Sequence, residues 1–223
     1  RQALNLLKST GCRANFLHTT VPEGIEMIRQ AREQLRMSVW AETCPHNLYL
    51  TTEHLRRQGP WVTYAPPVRD PARAEQLWQQ LAQGDILSMG SDHGPIDPEL
   101  KTAGEKDIFA GQFGIPGAET LVALMLHAAA TGRISLERMA AVLCENPARL
   151  YGLYPRKGCL QPGSDADFTI LSLEGNHTLT AKNMLTSCAW TPYEGWHLQG
   201  QVTHAILRGK ILMQDGVLFG QPG

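Results

Sequence analysis

Gly90-Ser91-Asp92-His93-Gly94-Pro95 sets a carboxylate and an imidazole side by side, directly after residues 85–89, an apolar run with the length of a buried strand. An acid and a histidine at the carboxyl end of a strand stand where α/β barrels carry their chemistry. Asp92 is chemically equipped for two jobs that hydrolysis by an ion-activated water requires: ligating a divalent cation and moving a proton. An Asx turn that closes the loop is the alternative for the same residue, because aspartate is common in turns. Other residues of like character fall at like places. His18 follows the short run 14–17, Glu42 follows the run 37–41, and His46 comes shortly after Glu42. A lone histidine after a strand is ordinarily a hydrogen-bonded structural residue. The recurrence over three successive strand–helix units makes a shared site the stronger reading, since parallel neighbours present their carboxyl ends on one face. Histidine and aspartate are good ligands for zinc and similar divalent ions.

The elements that would position these groups alternate along residues 1–154. Residues 3–9 read as the end of a helix stopped by Gly11. Thr20-Val21-Pro22-Glu23 has the form of a capping box with proline in the first turn, and Ile25, Ile28, Ala31 and Leu35 follow at helical spacing. Asp70-Pro71 opens another helix whose apolar face is Leu77, Trp78 and Leu81, and Gly84 closes it. Further helices are predicted over residues 118–130 and 135–143, with a short one starting at Asn146-Pro147. Parallel strands joined by helical crossovers follow from this order. Three such strands do not close a barrel, which takes eight. From about residue 155 the texture changes to short β-like runs between Gly and Pro, with residues 202–207 and 211–213 reading as a hairpin across Arg208-Gly209-Lys210.

Composition narrows the function classes. A chain of 223 residues can bury a proper core. Twenty basic against 21 acidic residues leave a net charge of −1, so no basic face is implied and nucleic acid is not an expected partner. Five scattered cysteines without a CxxC pair suit reduced thiols in the cytoplasm. The longest apolar run, about residues 121–130, is too short to span a bilayer, so no membrane partner and no targeting segment are expected. The chain begins at Arg1 rather than Met, and residue 1 is expected not to be the start of translation.

Six segments, in order, resemble the carboxyl-terminal half of the cyclic amidohydrolases, the group of allantoinase, hydantoinase, dihydropyrimidinase and dihydroorotase. They are Leu17-His18-Thr19-Thr20 through Glu23-Gly24, Ala41-Glu42-Thr43-Cys44-Pro45-His46, Ala65-Pro66-Pro67-Val68-Arg69-Asp70, Gly90-Ser91-Asp92-His93, Glu145-Asn146-Pro147-Ala148, and Pro162-Gly163-Ser164-Asp165-Ala166-Asp167. The resemblance implies an α/β fold: the last three strands of a TIM-like (β/α)8 barrel over residues 1–154, then a β-sandwich segment over residues 155–223. It implies His18 as ligand of one of two divalent ions, zinc foremost with manganese, cobalt or iron as alternatives. Asp92 would contact the other ion and act as general base. The family's His-x-His pair, carbamylated lysine and further histidine would lie upstream of Arg1. Backbone groups of Ala65 and Phe113 match positions that hydrogen-bond the substrate amide, and His46 would either touch substrate or orient the site.

The implied activity is hydrolysis of the C–N bond in a small cyclic amide or ureide, allantoinase- or hydantoinase-like, by an enzyme that is a homo-oligomer when full-length. The chain alone would be inactive. Dihydroorotases carry a second histidine in an Asp-x-x-Pro-His pattern that helps to hold a carboxylate. Ile96 stands there in this chain, which lowers the dihydroorotase alternative. A non-catalytic scaffold of the same fold is the other alternative, and His18 and Asp92 argue against it.

Overall fold

Short apolar runs and proline-initiated helices alternate in the computed structural model, which describes residues 1–219. They resolve into two compact units, one of residues 1–121 with 179–196, the other of residues 122–178 with His197 onward.

In the first unit, α1 (Gln2–Thr10) ends on Gly11, whose left-handed φ of 68° lets its N–H reach Leu7 O at 2.9 Å. Then come β1 (Ala14–Phe16), α2 (Pro22–Glu33), β2 (Val39–Thr43), α3 (Pro45–Tyr49), α4 (Thr52–Gln58), α5 (Pro71–Gln83), β3 (Ser88–Met89) and α6 (Pro98–Thr102). The strands form a parallel sheet in the order β1-β2-β3, with Phe16 opposite Ala41 and Glu42 opposite Ser88. Parallel pairing follows from the long crossovers, since α2 and α5 each fill the connection between neighbouring strands. Val39 and Ala41 of the central strand are buried, as are Ile25, Ile28 and Ala31 of α2. On α5 the buried face is Ala74, Leu77, Trp78 and Leu81. Full burial of Leu77 and of Leu81 is worth about 1.5–3 kcal/mol each. Asp70 caps α5 by accepting from Arg73 N, and Gly84 closes it at φ 99°.

Several local features depart from the sequence reading. The capping box at Thr20–Glu23 does not form. Val21 takes the N-cap without a side-chain bond, Thr20 Oγ1 accepts from Arg69 Nε at 3.1 Å, and Glu23 accepts from Arg73 Nη1 at 2.8 Å. A capping box occurs instead on α4, between Thr51 and His54. Glu42 lies inside β2 rather than after it, and β3 is confined to two residues.

Lys101 of α6, which is 0% exposed, ties the segment after β3 to the Pro60–Thr63 stretch. Its Nζ donates to Pro60 O at 3.1 Å, Thr63 O at 2.9 Å and Thr63 Oγ1 at 3.1 Å. The Trp190 ring centroid is 5.4 Å away. Burying an ammonium is tolerable only with acceptors of this kind.

The boundary between the units falls within α7 (Ala118–Ala130). In the second unit α8 (Leu136–Ala140), a π turn (Ala141–Glu145) and α9 (Asn146–Leu150) run on without a break. The sequence reading placed two helices here. Proline at 147 lacks an N–H and its ring crowds the preceding turn, which the widened π turn accommodates. Strands β4 (Phe168–Thr178), β5 (His197–Leu207), β6 (Lys210–Gln214) and β7 (Val217–Leu218) make an antiparallel sheet in chain order. Arg208 and Gly209, with φ of 49° and 76°, form the tight turn between β5 and β6. Leu124, Met125, Leu126 and Leu198 are buried, whereas Phe168, Ile170, Ile211 and Leu218 leave apolar surface uncovered. Among the described residues no helix is long and apolar enough to cross a membrane. All five cysteines are free.

Candidate active site

The candidate residues lie at or just beyond the carboxyl ends of β1, β2 and β3. Beyond β1 the chain turns at His18 with φ 35°, and beyond β3 it turns at Asp92 with φ 45°. Left-handed backbone is uncommon outside glycine, and His18 and Asp92 are two of the six non-glycine residues that hold it among the described residues, with Arg36, Ala189, Arg208 and Asp215. The first turn is tied to β2 on both sides: Thr19 N donates to Glu42 O at 2.8 Å, and Thr43 Oγ1 donates to Thr19 O at 2.8 Å. His46 sits on α3, which starts right after β2 because Pro45 occupies its first turn. The His46 ring meets Tyr64 edge-on at 4.3 Å between centroids, and Tyr64 Oη donates to His46 O at 3.2 Å.

His46 Nε2 lies 3.9 Å from Asp92 Oδ2, with the His46 side chain 2% and the Asp92 side chain 37% exposed. That separation is too long for a direct hydrogen bond. Burial pushes His46 down to about 3, and the nearby His18 adds to the fall. The ring is therefore held neutral, the form in which imidazole ligates a metal. Burial raises the Cys44 thiol, reinforced by Asp92 and Glu42, so Cys44 is an inert buried thiol rather than a nucleophile.

His18 Nδ1 and His46 Nε2 are both buried without a hydrogen-bond partner. Orphaned buried nitrogens are costly and rare, and a cation is one thing that satisfies them. Among the described residues no group of three or more His, Cys, Asp or Glu is gathered closely enough to hold an ion. The donor set thus fits part of a metal site: His18 and Asp92, with His46 beside them.

Glu42 links the three strands through its side chain. Its Oε2 accepts from Asn15 Nδ2 of β1 at 3.3 Å and from Ser88 Oγ of β3 at 3.2 Å, so one carboxylate braces three strands. A Cβ on Gly90 would come within 2.7 Å of Glu42 Oε1, so a side chain there would push the carboxylate out of this brace. Sequence reading found Glu42 but missed Asn15 and Ser88. The available signal was a polar residue inside each of two short apolar strands.

The expected substrate loops meet. Gly114 N donates to Thr63 O at 3.0 Å, which brings the neighbours of Phe113 and Ala65 together. Gly94 N donates to Ile115 O at 2.9 Å, which lays the same stretch against the Asp92 turn. Ala65 is exposed and Phe113 is 48% exposed.

The sequence model of the Amidohydrolase family matches residues 4–212. An L-hydantoinase of Paenarthrobacter aurescens is 38% identical over 224 residues, covering 100% of this chain and 49% of that protein. An allantoinase of Deinococcus radiodurans is 36% identical over 223 residues, covering 100% of this chain and 48% of that protein. The solved L-hydantoinase (dihydropyrimidinase) from Arthrobacter aurescens superposes with a TM-score of 0.95 at 39% identity, covering 99% of this chain and 49% of that one. This chain spans about half the length of the curated relatives it matches.

Proposed function

The chain belongs to the amidohydrolase family, and we propose that it is the carboxyl-terminal half of an enzyme that hydrolyses the C–N bond of a cyclic amide, of the allantoinase or hydantoinase kind. The observation that carries the reading is the meeting of Asp92 with His46 at the ends of parallel strands. Two imidazole nitrogens there, His18 Nδ1 and His46 Nε2, lack a hydrogen-bond partner. Two divalent ions, zinc foremost with manganese, cobalt or iron as alternatives, one held by His18 and the other contacted by Asp92, with further ligands from the other half including a carbamylated lysine, would polarise the ring carbonyl and acidify water.

The chain's own residues then have separable parts. Asp92 takes the proton of the attacking water and returns it to the ring nitrogen as the C–N bond breaks. The backbone groups of Ala65 and Phe113 hydrogen-bond the ring amide and fix its face toward Asp92. His46, wedged against Tyr64, keeps the Asp92 carboxylate on the substrate side. Ile96 offers no polar group, which favours neutral rings such as allantoin or a hydantoin over a ring bearing a carboxylate.

The uncovered apolar residues of the antiparallel sheet support residues 155–223 as one part of a sandwich that the other half completes, with residues 1–154 as the barrel part. Free cysteines support a cytoplasmic home, and the full-length enzyme is proposed to be a homo-oligomer acting on small molecules, with no nucleic-acid or membrane partner.

The test is a chimera in which this chain replaces the matching half of the Paenarthrobacter aurescens L-hydantoinase. The chimera should open a hydantoin or allantoin. Asp92→Asn should fold, and lose about a hundredfold or more in turnover, because an amide cannot accept the water's proton. Near-native turnover in a folded, metal-loaded Asp92→Asn chimera would refute the general-base role.

A further inference from the structure

His93 has no part in the reaction above, although it adjoins the general base. Its Nδ1 accepts two backbone N–H bonds, from Gly117 at 3.2 Å and from Ala118 at 3.1 Å. Ala118 is the first residue of α7, and the first amides of a helix have no acceptor within it. His93 thus caps α7 from another segment, in the way an N-cap side chain does from within. A ring nitrogen that accepts N–H groups bears no hydrogen of its own, which leaves Nε2 as the ring's N–H.

The backbone on either side of Asp92 is fastened to the same stretch. His93 pairs with Ile115 in a parallel bridge, and Gly94 N donates to Ile115 O. On the other flank, a Cβ on Gly117 would run into the carbonyl oxygen of Ser91. Between these fastenings Asp92 keeps its φ of 45°, a conformation an aspartate holds only at some cost.

We propose that His93 is a positioning residue: its Nδ1 bonds to Gly117 and Ala118 hold the Asp92 turn against the start of α7. This rests on the function proposed above, since it assigns His93 a role in placing the same base. The imidazole also links the base to the stretch that begins at Phe113, so base and substrate contacts move as one piece.

Two isosteres separate the ring nitrogens. Asparagine puts an oxygen where Nδ1 stands, whereas glutamine reaches the place of Nε2. In this chain, amide hydrogen exchange at Gly117 and Ala118 should be about tenfold faster in His93→Ala and His93→Gln and near native in His93→Asn. In the chimera, kcat should fall about tenfold in the Ala and Gln variants, with KM moved less than about threefold, and Asn should restore most of the loss. Unchanged exchange in His93→Ala would overturn the proposal. So would rescue of kcat by Gln and not by Asn, which would put Nε2–H to work on the substrate itself. A wild-type chimera that opens no cyclic amide counts against the proposed function alone, and the exchange measurement then decides whether the anchor exists.

Discussion

Lys101 ties α6 to the Pro60–Thr63 turn from a fully buried position, and Lys101→Met tests what that arrangement costs. Burial pulls its ammonium from 10.5 down to about 8, whereas the unfolded chain keeps the ordinary lysine value. Between those values the unfolded state binds more protons than the native one, so stability rises with pH there. The lysine's contribution is fully present above pH 10.5 and is lost as pH falls through about 8. A fall from 10.5 to about 8 corresponds to about 3 kcal/mol. Three oxygen acceptors hold the proton against burial, which makes this a ceiling. Methionine abolishes the titration and orphans no acceptor. Pro60 O still receives Thr63 N at 3.1 Å and Thr63 Oγ1 at 2.8 Å, and Thr63 O still receives Gly114 N at 3.0 Å. At neutral pH the variant should therefore lie within about 2 kcal/mol of wild type, short of the 3–5 kcal/mol typical of a broken buried pair. Urea denaturation of both proteins, followed by tryptophan fluorescence from neutral pH to about 10.5, gives the stability difference at each pH. The buried Cys44, Tyr64 and Tyr193 also titrate abnormally, but they do so in both proteins and cancel. The difference should move in favour of wild type by up to about 3 kcal/mol. A difference that stays flat or falls over this range would refute the reasoning.

Two further outcomes follow from the site. Gly90→Ala places a Cβ within 2.7 Å of Glu42 Oε1 and should destabilise by about 1–3 kcal/mol. Shortening the carboxylate with Glu42→Asp should recover at least about 0.5 kcal/mol of coupling in a double-mutant cycle, and strict additivity would show that the two groups do not meet. On substrates, the chimera should prefer allantoin or a hydantoin to dihydroorotate, because Ile96 presents no cation and its carbonyl is taken by Trp190 Nε1 at 2.7 Å. A higher kcat/KM on dihydroorotate would overturn that preference.

Chain order alone made much of this legible. Asp92 and His18 were placed because the strand–helix alternation puts them after parallel strands, and Asp70 and Gly84 bound α5 by local rules. What escaped depends on partners far away in the chain. Thr20 fails as a cap because Arg69, 49 residues on, takes its hydroxyl. The brace at Glu42 draws on Asn15 and Ser88, 27 and 46 residues distant. Nothing local marks Lys101 as buried, because its acceptors come from residues about 40 positions earlier. The Nδ1 bonds of His93 likewise reach α7 across 24 and 25 residues.

The claim that this chain is half of a metal-dependent cyclic amidohydrolase is tested most directly by bound zinc and ring opening, measured on the isolated chain and on the chimera. His18 and Asp92 would give one protein ligand to each of two ions, short of the roughly three of a catalytic zinc site. The isolated chain should therefore hold zinc weakly and leave allantoin and hydantoin intact. The chimera should carry zinc tightly and open one of these rings. Robust hydrolysis by the isolated, monomeric chain would contradict the account, as would a folded, metal-loaded chimera that opens none of them.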